Sequence, residues 1–173
     1  MKHKRVIVFL NIFICLFFIQ SFSQKIDQIV NKEIYTSYYS TELKVPLYVV
    51  YYLNNGGGDY PRDKLRFIEG FKTAKNSDYS KSGYDRGHLV SAEDFAFDCV
   101  LDELTFRYYN CVPQNPKMNR GPWKKVETQI REVSQNRELF IICINIFGNN
   151  YLKNTKVGIP TECIKLVYDT KSM

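Results

Sequence analysis

From Tyr35 to Tyr52 aromatic, β-branched and polar residues alternate, and Leu47-Tyr48-Val49-Val50-Tyr51-Tyr52-Leu53 has the composition of a strand. Asn54-Asn55-Gly56-Gly57-Gly58-Asp59 interrupts it and predicts an exposed turn. Residues Pro61 to Ser82 show no period. They are polar, carry Arg62, Lys64, Arg66, Lys72, Lys75 and Lys81, and read as a solvated loop with one short helix. A helical period begins after Gly121-Pro122, where Trp123, Val126, Ile130 and Val133 recur at three- and four-residue intervals. Proline suits the first turn of a helix, so an amphipathic helix is expected there. The unbroken apolar run Leu139 to Phe147 predicts a buried strand, and a weaker strand follows around Ile164 to Tyr168. Strands, loop, helix and strands in this order predict a mixed α+β domain.

One apolar run stands outside this pattern, at the N-terminus. Met1 to Arg5 carry three positive charges, Val6 to Ile19 is almost wholly apolar, and Ser21-Phe22-Ser23 places small residues at −3 and −1 of a cleavage point before Gln24. A bilayer-spanning helix needs about 20 apolar residues, so residues 1–23 read as a signal peptide for secretion or export to a periplasm. The expected mature domain is 24–173, and removal of Lys2, Lys4 and Arg5 leaves 21 basic against 18 acidic residues, or +3. That charge permits a polyanionic partner without demanding one. Four cysteines remain, Cys99, Cys111, Cys143 and Cys163. Their wide spacing excludes a zinc ribbon, while two disulfides and buried thiols both stay open.

The mature chain has a single histidine, in Ser82-Gly83-Tyr84-Asp85-Arg86-Gly87-His88-Leu89. Multi-histidine metal sites are excluded by count, and any imidazole chemistry falls to His88. An isolated histidine is more often structural. Here Asp85 and Arg86 set two charges beside it, and Gly87 lets the backbone turn or approach a neighbour closely. A second cluster follows in Asn110-Cys111-Val112-Pro113-Gln114 and Asn119-Arg120-Gly121-Pro122-Trp123-Lys124-Lys125-Val126-Glu127.

Together these two motifs resemble the non-specific DNA/RNA endonucleases of the ββα-metal type. The D-R-G-H hallmark stands unchanged at Asp85 to His88, and N-x-x-P-Q with N-x-G-x-W-x-x-x-E matches Asn110, Pro113, Gln114, Asn119, Gly121, Trp123 and Glu127. The resemblance implies a mainly antiparallel sheet with a ββα-metal catalytic core and a helix carrying the metal-site region. It implies that His88 is the general base that activates water, a role suited to a neutral imidazole. Asn119 would be the sole direct ligand of a Mg2+ ion, with Mn2+ as the alternative metal. A neutral amide leaves the full ionic charge for the phosphate.

By the same resemblance Glu127 would hold the ion's water shell, Arg86 would lie near the phosphate and Asn110 would help order the site. Asp85, Gly87 and Trp123 would serve the motif structurally, and Arg62, Arg66 and Arg120 are the candidate substrate contacts. With Pro122 in the first helical turn, Asn119 is expected just before the helix. The chain departs from the family after His88, where Leu89-Val90-Ser91 replaces a proline-containing stretch, and at Phe147-Gly148-Asn149, where a Gly-Pro turn is common. It also ends earlier than many members. DNA and RNA are the implied substrates and a homodimer is one implied assembly. The competing expectation is a catalytically inactive, secreted nucleic-acid-binding protein of the same fold.

Overall fold

Buried and more open positions alternate along four of the five strands that form the sheet. A computed structural model describes residues 24–172, so the expected signal peptide lies outside the described residues. Strands β1 (Gln28–Lys32), β2 (Tyr35–Ser40) and β3 (Val45–Leu53) run as a meander. Strands β6 (Leu139–Tyr151) and β7 (Gly158–Asp169) complete a five-stranded sheet of order β1-β2-β3-β6-β7, with every neighbouring pair antiparallel. The alternation at Tyr35 to Tyr52 is thus a hairpin of two strands, turned at Lys44 through a positive φ of 54°.

One face of this sheet holds the core. Tyr39, Val49, Tyr51, Leu53, Ile141 and Cys143 are buried there, against Leu89, Val90, Tyr108, Val112 and Ile130. Burying each aliphatic side chain contributes on the order of 1.5–3 kcal/mol. Between β3 and β6, which are hydrogen-bonded neighbours, the chain leaves the sheet and returns beside its point of departure. This excursion carries β4 (Asp85–His88), α1 (Cys99–Thr105), β5 (Cys111–Gln114), the single helical turn α2 (Pro116–Met118) and α3 (Lys124–Ser134). Strands β4 and β5 pair as an antiparallel ribbon, and with α3 they make the ββα unit.

Several local expectations change. Helix α1 has little apolar period, yet Asp98 caps it by accepting from the Val100 and Leu101 amides. The stretch 61–82 is anchored rather than wholly solvated, because Phe67, Ala74 and Tyr79 are buried in the core. The glycine-rich turn after β3 is also partly buried. Asn55 N–H donates to the Ser134 carbonyl (2.9 Å), Gly56 N–H to Ser134 Oγ (3.1 Å) and Gly57 N–H to the Asp94 carbonyl (3.1 Å). Glycines allow this backbone to press against the end of α3 and against residues 94–97, where a Cβ on Gly58 would lie 2.2 Å from the Ala96 carbonyl carbon. The four cysteines are free thiols, and burial pushes Cys111 and Cys143 up to about 12, which makes both unreactive.

Gly58 (φ +113°) both adopts a glycine conformation and meets backbone, whereas Gly83 (φ +81°) has open space around it. Gly83→Ala should therefore lose only the left-handed backbone cost, on the order of 1–2 kcal/mol, and Gly58→Ala should lose clearly more. Urea denaturation of the two variants measures the difference.

Candidate active site

The ribbon sets His88. It lies opposite Cys111 in the β4–β5 pair, and Gly87 beside it lies opposite Val112. A Cβ on Gly87 would sit 2.1 Å from Oε1 of Gln114, a buried side chain that fills the space beside the strand. The glycine of the motif is thus required by packing. Asn110 clamps the chain just past His88. Its Oδ1 accepts from Val90 N–H (2.8 Å), and its Nδ2 donates to the carbonyls of Val90 (2.9 Å) and Thr105 (3.0 Å). With every polar atom occupied and the side chain fully buried, Asn110 holds the fold of the site and does not reach the cleft.

The imidazole of His88 is wedged between Phe67 and Phe106, each ring centre 4.7 Å away. Its Nε2 is shielded and has no hydrogen-bond partner among the described residues. Burial lowers its pKa to about 3, assisted by the positive charges of Arg62 and Lys165. His88 is therefore neutral at ordinary pH.

Asp85 joins the base strand to the opposite wall. Its carboxylate accepts from Asn119 Nδ2 (3.0 Å), Arg120 Nε (2.8 Å) and a terminal Arg120 nitrogen (2.6 Å). The Arg120 bond is the main cause that holds the Asp85 pKa below its ordinary value, against burial. Because a carboxylate only accepts, the amide nitrogen of Asn119 must face Asp85, and the amide oxygen is left free for a cation. Asn119 follows α2, which Asn115 caps through Lys117 N–H (2.9 Å), and opens a wide turn Asn119–Trp123. Gly121 breaks that turn at φ −111°, ψ −105°. Asn119, Trp123 and Glu127 therefore do not share one straight helical stripe, and Asn119 is held by a kinked turn rather than standing at a simple helix start.

Glu127, in the first turn of α3, is mostly buried and accepts from Lys165 Nζ at 3.3 Å. Lys165 projects from β7, is 2% exposed, and sits 4.9 Å from the Trp123 ring centre. Burial alone would neutralise Lys165, but Cys143, Glu127 and Asp94 together raise its pKa and keep it cationic. Burial also pushes the Glu127 carboxyl up, and Lys165 pulls it back. Beside this pair, Arg131 donates to Glu93 (2.7 Å) and Asp94 (2.9 Å), and Arg62 donates to Glu93 (3.0 Å). These bonds tie the segment after His88 to α3 and bring Arg62 to the cleft.

A cleft of about 410 Å³ gathers His88, Asn119, Glu127, Arg62 and Arg120, together with Lys124, which the motifs did not single out. Two predicted arginines lie elsewhere. Arg86 donates to the Tyr108 hydroxyl (2.9 Å) and the Asn76 carbonyl (3.0 Å) over the Tyr79 ring, so its guanidinium braces the loop instead of facing the phosphate position. Arg66 is bound to carbonyls of its own loop at Asp63 (2.6 Å) and Leu65 (2.7 Å). Arg131 could have been found at i+4 from Glu127, whereas Lys165 sits in a weak strand with no local signal.

Among the described residues no group of three or more His, Cys, Asp or Glu side chains converges on a metal position. The cleft offers one free amide oxygen and carboxylates already paired with Lys165, Arg62 and Arg131. That sparse set of oxygen donors fits a hard divalent cation that retains most of its water, as magnesium does.

The family model for DNA/RNA non-specific endonuclease matches residues 16–173, and the chain belongs to that family. It is 27% identical over 160 residues to mitochondrial endonuclease G of Homo sapiens, covering 81% of this chain and 54% of that protein. It is 37% identical over 90 residues to a nuclease of Nostoc sp., covering 51% of this chain and 33% of that protein. The chain spans about half the length, or less, of these curated relatives. Among solved structures, a complex titled "Crystal structure of the EndoG/EndoGI complex: Mechanism of EndoG inhibition" aligns with TM-score 0.72 at 24% identity, over 84% of this chain and 69% of that one. The fold is shared with that structure.

Two measurements check these electrostatics. The folded state keeps His88 unprotonated down to about 3, whereas an unfolded histidine takes a proton near its ordinary value. Its contribution is therefore fully present above the unfolded pKa of about 6.5 and is lost as pH falls from there toward 3. The stability difference between the wild type and His88→Gln should shrink or reverse across that window, as read by denaturation at stepped pH. Lys165→Met leaves Glu127 buried without its cation and should destabilise the fold by roughly 3–5 kcal/mol, while Lys165→Arg should recover part of the loss.

Proposed function

We propose that the protein is an exported, metal-dependent endonuclease that hydrolyses internal phosphodiester bonds of DNA and RNA without strong sequence preference. The observation that carries this reading is the meeting, in one cleft, of a neutral imidazole with an unpartnered Nε2, a free amide oxygen on Asn119, and the cations Arg62, Arg120 and Lys124. Family membership gives the same reaction class.

In the proposed reaction His88 removes a proton from a water molecule, and the oxygen attacks phosphorus. The bond from phosphorus to the departing ester oxygen breaks, and that oxygen leaves with a proton drawn from solvent. Arg62, Arg120 and Lys124 balance the charge of the crowded phosphate. Asp85 keeps the Asn119 amide oriented, and Lys165 keeps Glu127 in place. When bound at the Asn119 amide oxygen, with its waters held by Glu127, Mg2+ or Mn2+ supplies positive charge to the phosphate and the departing oxygen. The cations Arg62, Arg120 and Lys124 in the cleft suit contact with backbone phosphates. Backbone charge is the common feature of every nucleic acid, which supports cleavage without sequence preference.

Export rests on the charged, apolar and small-residue pattern of residues 1–23. No helix among the described residues is long and apolar enough to cross a membrane. N-terminal sequencing of protein recovered from outside expressing cells should begin at Gln24. Retention of Met1 on that material would reject cleavage.

Nicking of supercoiled plasmid and digestion of RNA test the activity. Cleavage should stop with chelator, return with Mg2+, and fall by about 10²–10⁴-fold in His88→Ala. Asn119→Ala should require much more metal for the same rate. Unchanged cleavage in His88→Ala would overturn the assignment of the base. Salt-sensitive binding with no cleavage in the wild type would replace the enzyme by a binding protein.

A further inference from the structure

Four lysines converge at the end of the sheet where β3 begins, away from the cleft. A concavity of about 420 Å³ is lined by Lys44, Lys72, Lys75 and Lys156, with Glu42 and Glu69 beside them. It shares no lining residue with the cleft. The lysines come from three segments: the turn between β2 and β3, the loop 61–82, and the loop between β6 and β7. These segments are held firmly. Gly158 N–H donates to the Leu43 carbonyl (2.9 Å), and Gly70 N–H donates to Thr73 Oγ1 (2.9 Å). Glu69 accepts from the Asn76 amide (3.0 Å), and no ion pair among the described residues engages any of the four lysines. Like charges gathered in this way repel one another until an anion joins them. Lys44 and Lys72 also hold positive φ angles of 54° and 55°, which glycine or asparagine reaches at less cost. Beside Lys72, Phe71 is 68% exposed, and Lys72 Nζ lies 5.2 Å from its ring centre.

We propose that this concavity is a second binding site, outside the cleft, for single-stranded nucleic acid. Lys44, Lys72, Lys75 and Lys156 take backbone phosphates, and Phe71 lies under an unpaired base. The proposal rests on the nuclease reading, since the strand held here is the one cut in the cleft. A positively charged groove beside an exposed ring is the pair of parts that binds a single strand, because every base has a face to stack. A duplex keeps its bases stacked on one another, so only an unpaired strand can use the ring. The spacing suits one strand at both sites. Val49, Cys143 and Lys165 share a row of the sheet, and Lys165 reaches Glu127 in the cleft. Lys44 precedes Val49 along the chain by a distance of roughly 16 Å, at about 3.3 Å per residue. A stacked strand rises about 3.4 Å per nucleotide, so roughly five nucleotides bridge the two sites. Short fragments then occupy the cleft alone, whereas longer strands are held at both places and bind more tightly.

Fluorescence anisotropy in chelator, with a single strand of about 30 nucleotides, reads binding without cleavage and tests the proposal. In the triple variant Lys44→Gln, Lys72→Gln and Lys156→Gln, the slope of log affinity against log salt should flatten by about 2, at about 0.7 per phosphate contact. Its KM for the same strand with Mg2+ should rise about tenfold or more, with kcat and the cleavage of a trinucleotide unchanged. Phe71→Ala should weaken single-strand binding roughly 5- to 150-fold and leave duplex binding as it is. Lysine acylation of the wild type is an independent reading that needs no variant. Lys44, Lys72 and Lys156 should be protected by the long strand and labelled in the presence of the trinucleotide. An unchanged salt slope in the triple variant, or lysines labelled equally with and without the long strand, overturns the second site. Equal loss of duplex binding in Phe71→Ala overturns its assignment to single strands. A wild type that binds the long strand but does not cut it with Mg2+ would instead count against the activity and leave the second site standing.

Discussion

The arrangement of the cleft depends on one carboxylate. Asp85 sits at the start of the base strand and accepts three hydrogen bonds from Asn119 and Arg120, which belong to the turn across the cleft. No covalent or strand contact joins His88 to Asn119 directly. Their relation is set by the rigidity of a four-residue strand and by this bond. The same interaction decides which atom of the Asn119 amide is available, because an acceptor on one side leaves only the oxygen on the other. The Arg120 side chain is exposed, so it is the two-pronged geometry of its bonds to Asp85, rather than burial, that favours one orientation.

Around that tether the charges are sorted by burial. His88 is kept neutral by burial between two aromatic rings, assisted by the charges of Arg62 and Lys165. Glu127 is kept in place by a cation from a distant strand, and Glu93 by two arginines. The carboxylates Glu127, Glu93 and Asp94 beside the cleft are thus each engaged by a cation. Buried pairs add little net stability, since desolvation offsets attraction, but removing one partner is costly. That asymmetry makes the network a device for position more than for strength.

The sheet serves both halves of the molecule. Its inner face receives the excursion that carries the residues of the cleft, and β3 and β6 clasp the two ends of that excursion. Its outer face has the composition of an interior with no element of the described chain above it.

Residues close in sequence carried most of what could be read in advance. The D-R-G-H and N-x-x-P-Q motifs, the single histidine, the amphipathic period of α3 and the apolar run of β6 all follow from neighbours a few positions apart, where local rules of period and chemistry operate. Family and general fold were therefore legible, as were His88, Asn119 and Glu127 as members of one site. Tertiary structure alone decided what each side chain touches. Arg86 turned to Tyr108 and Asn76, Asn110 became a buried clamp, Gly87 answered to Gln114, and Lys165 came from β7 to meet Glu127. Such partners lie tens of residues apart. Hydrogen bonding and burial depend on distance in space, which the order of residues along a chain does not state.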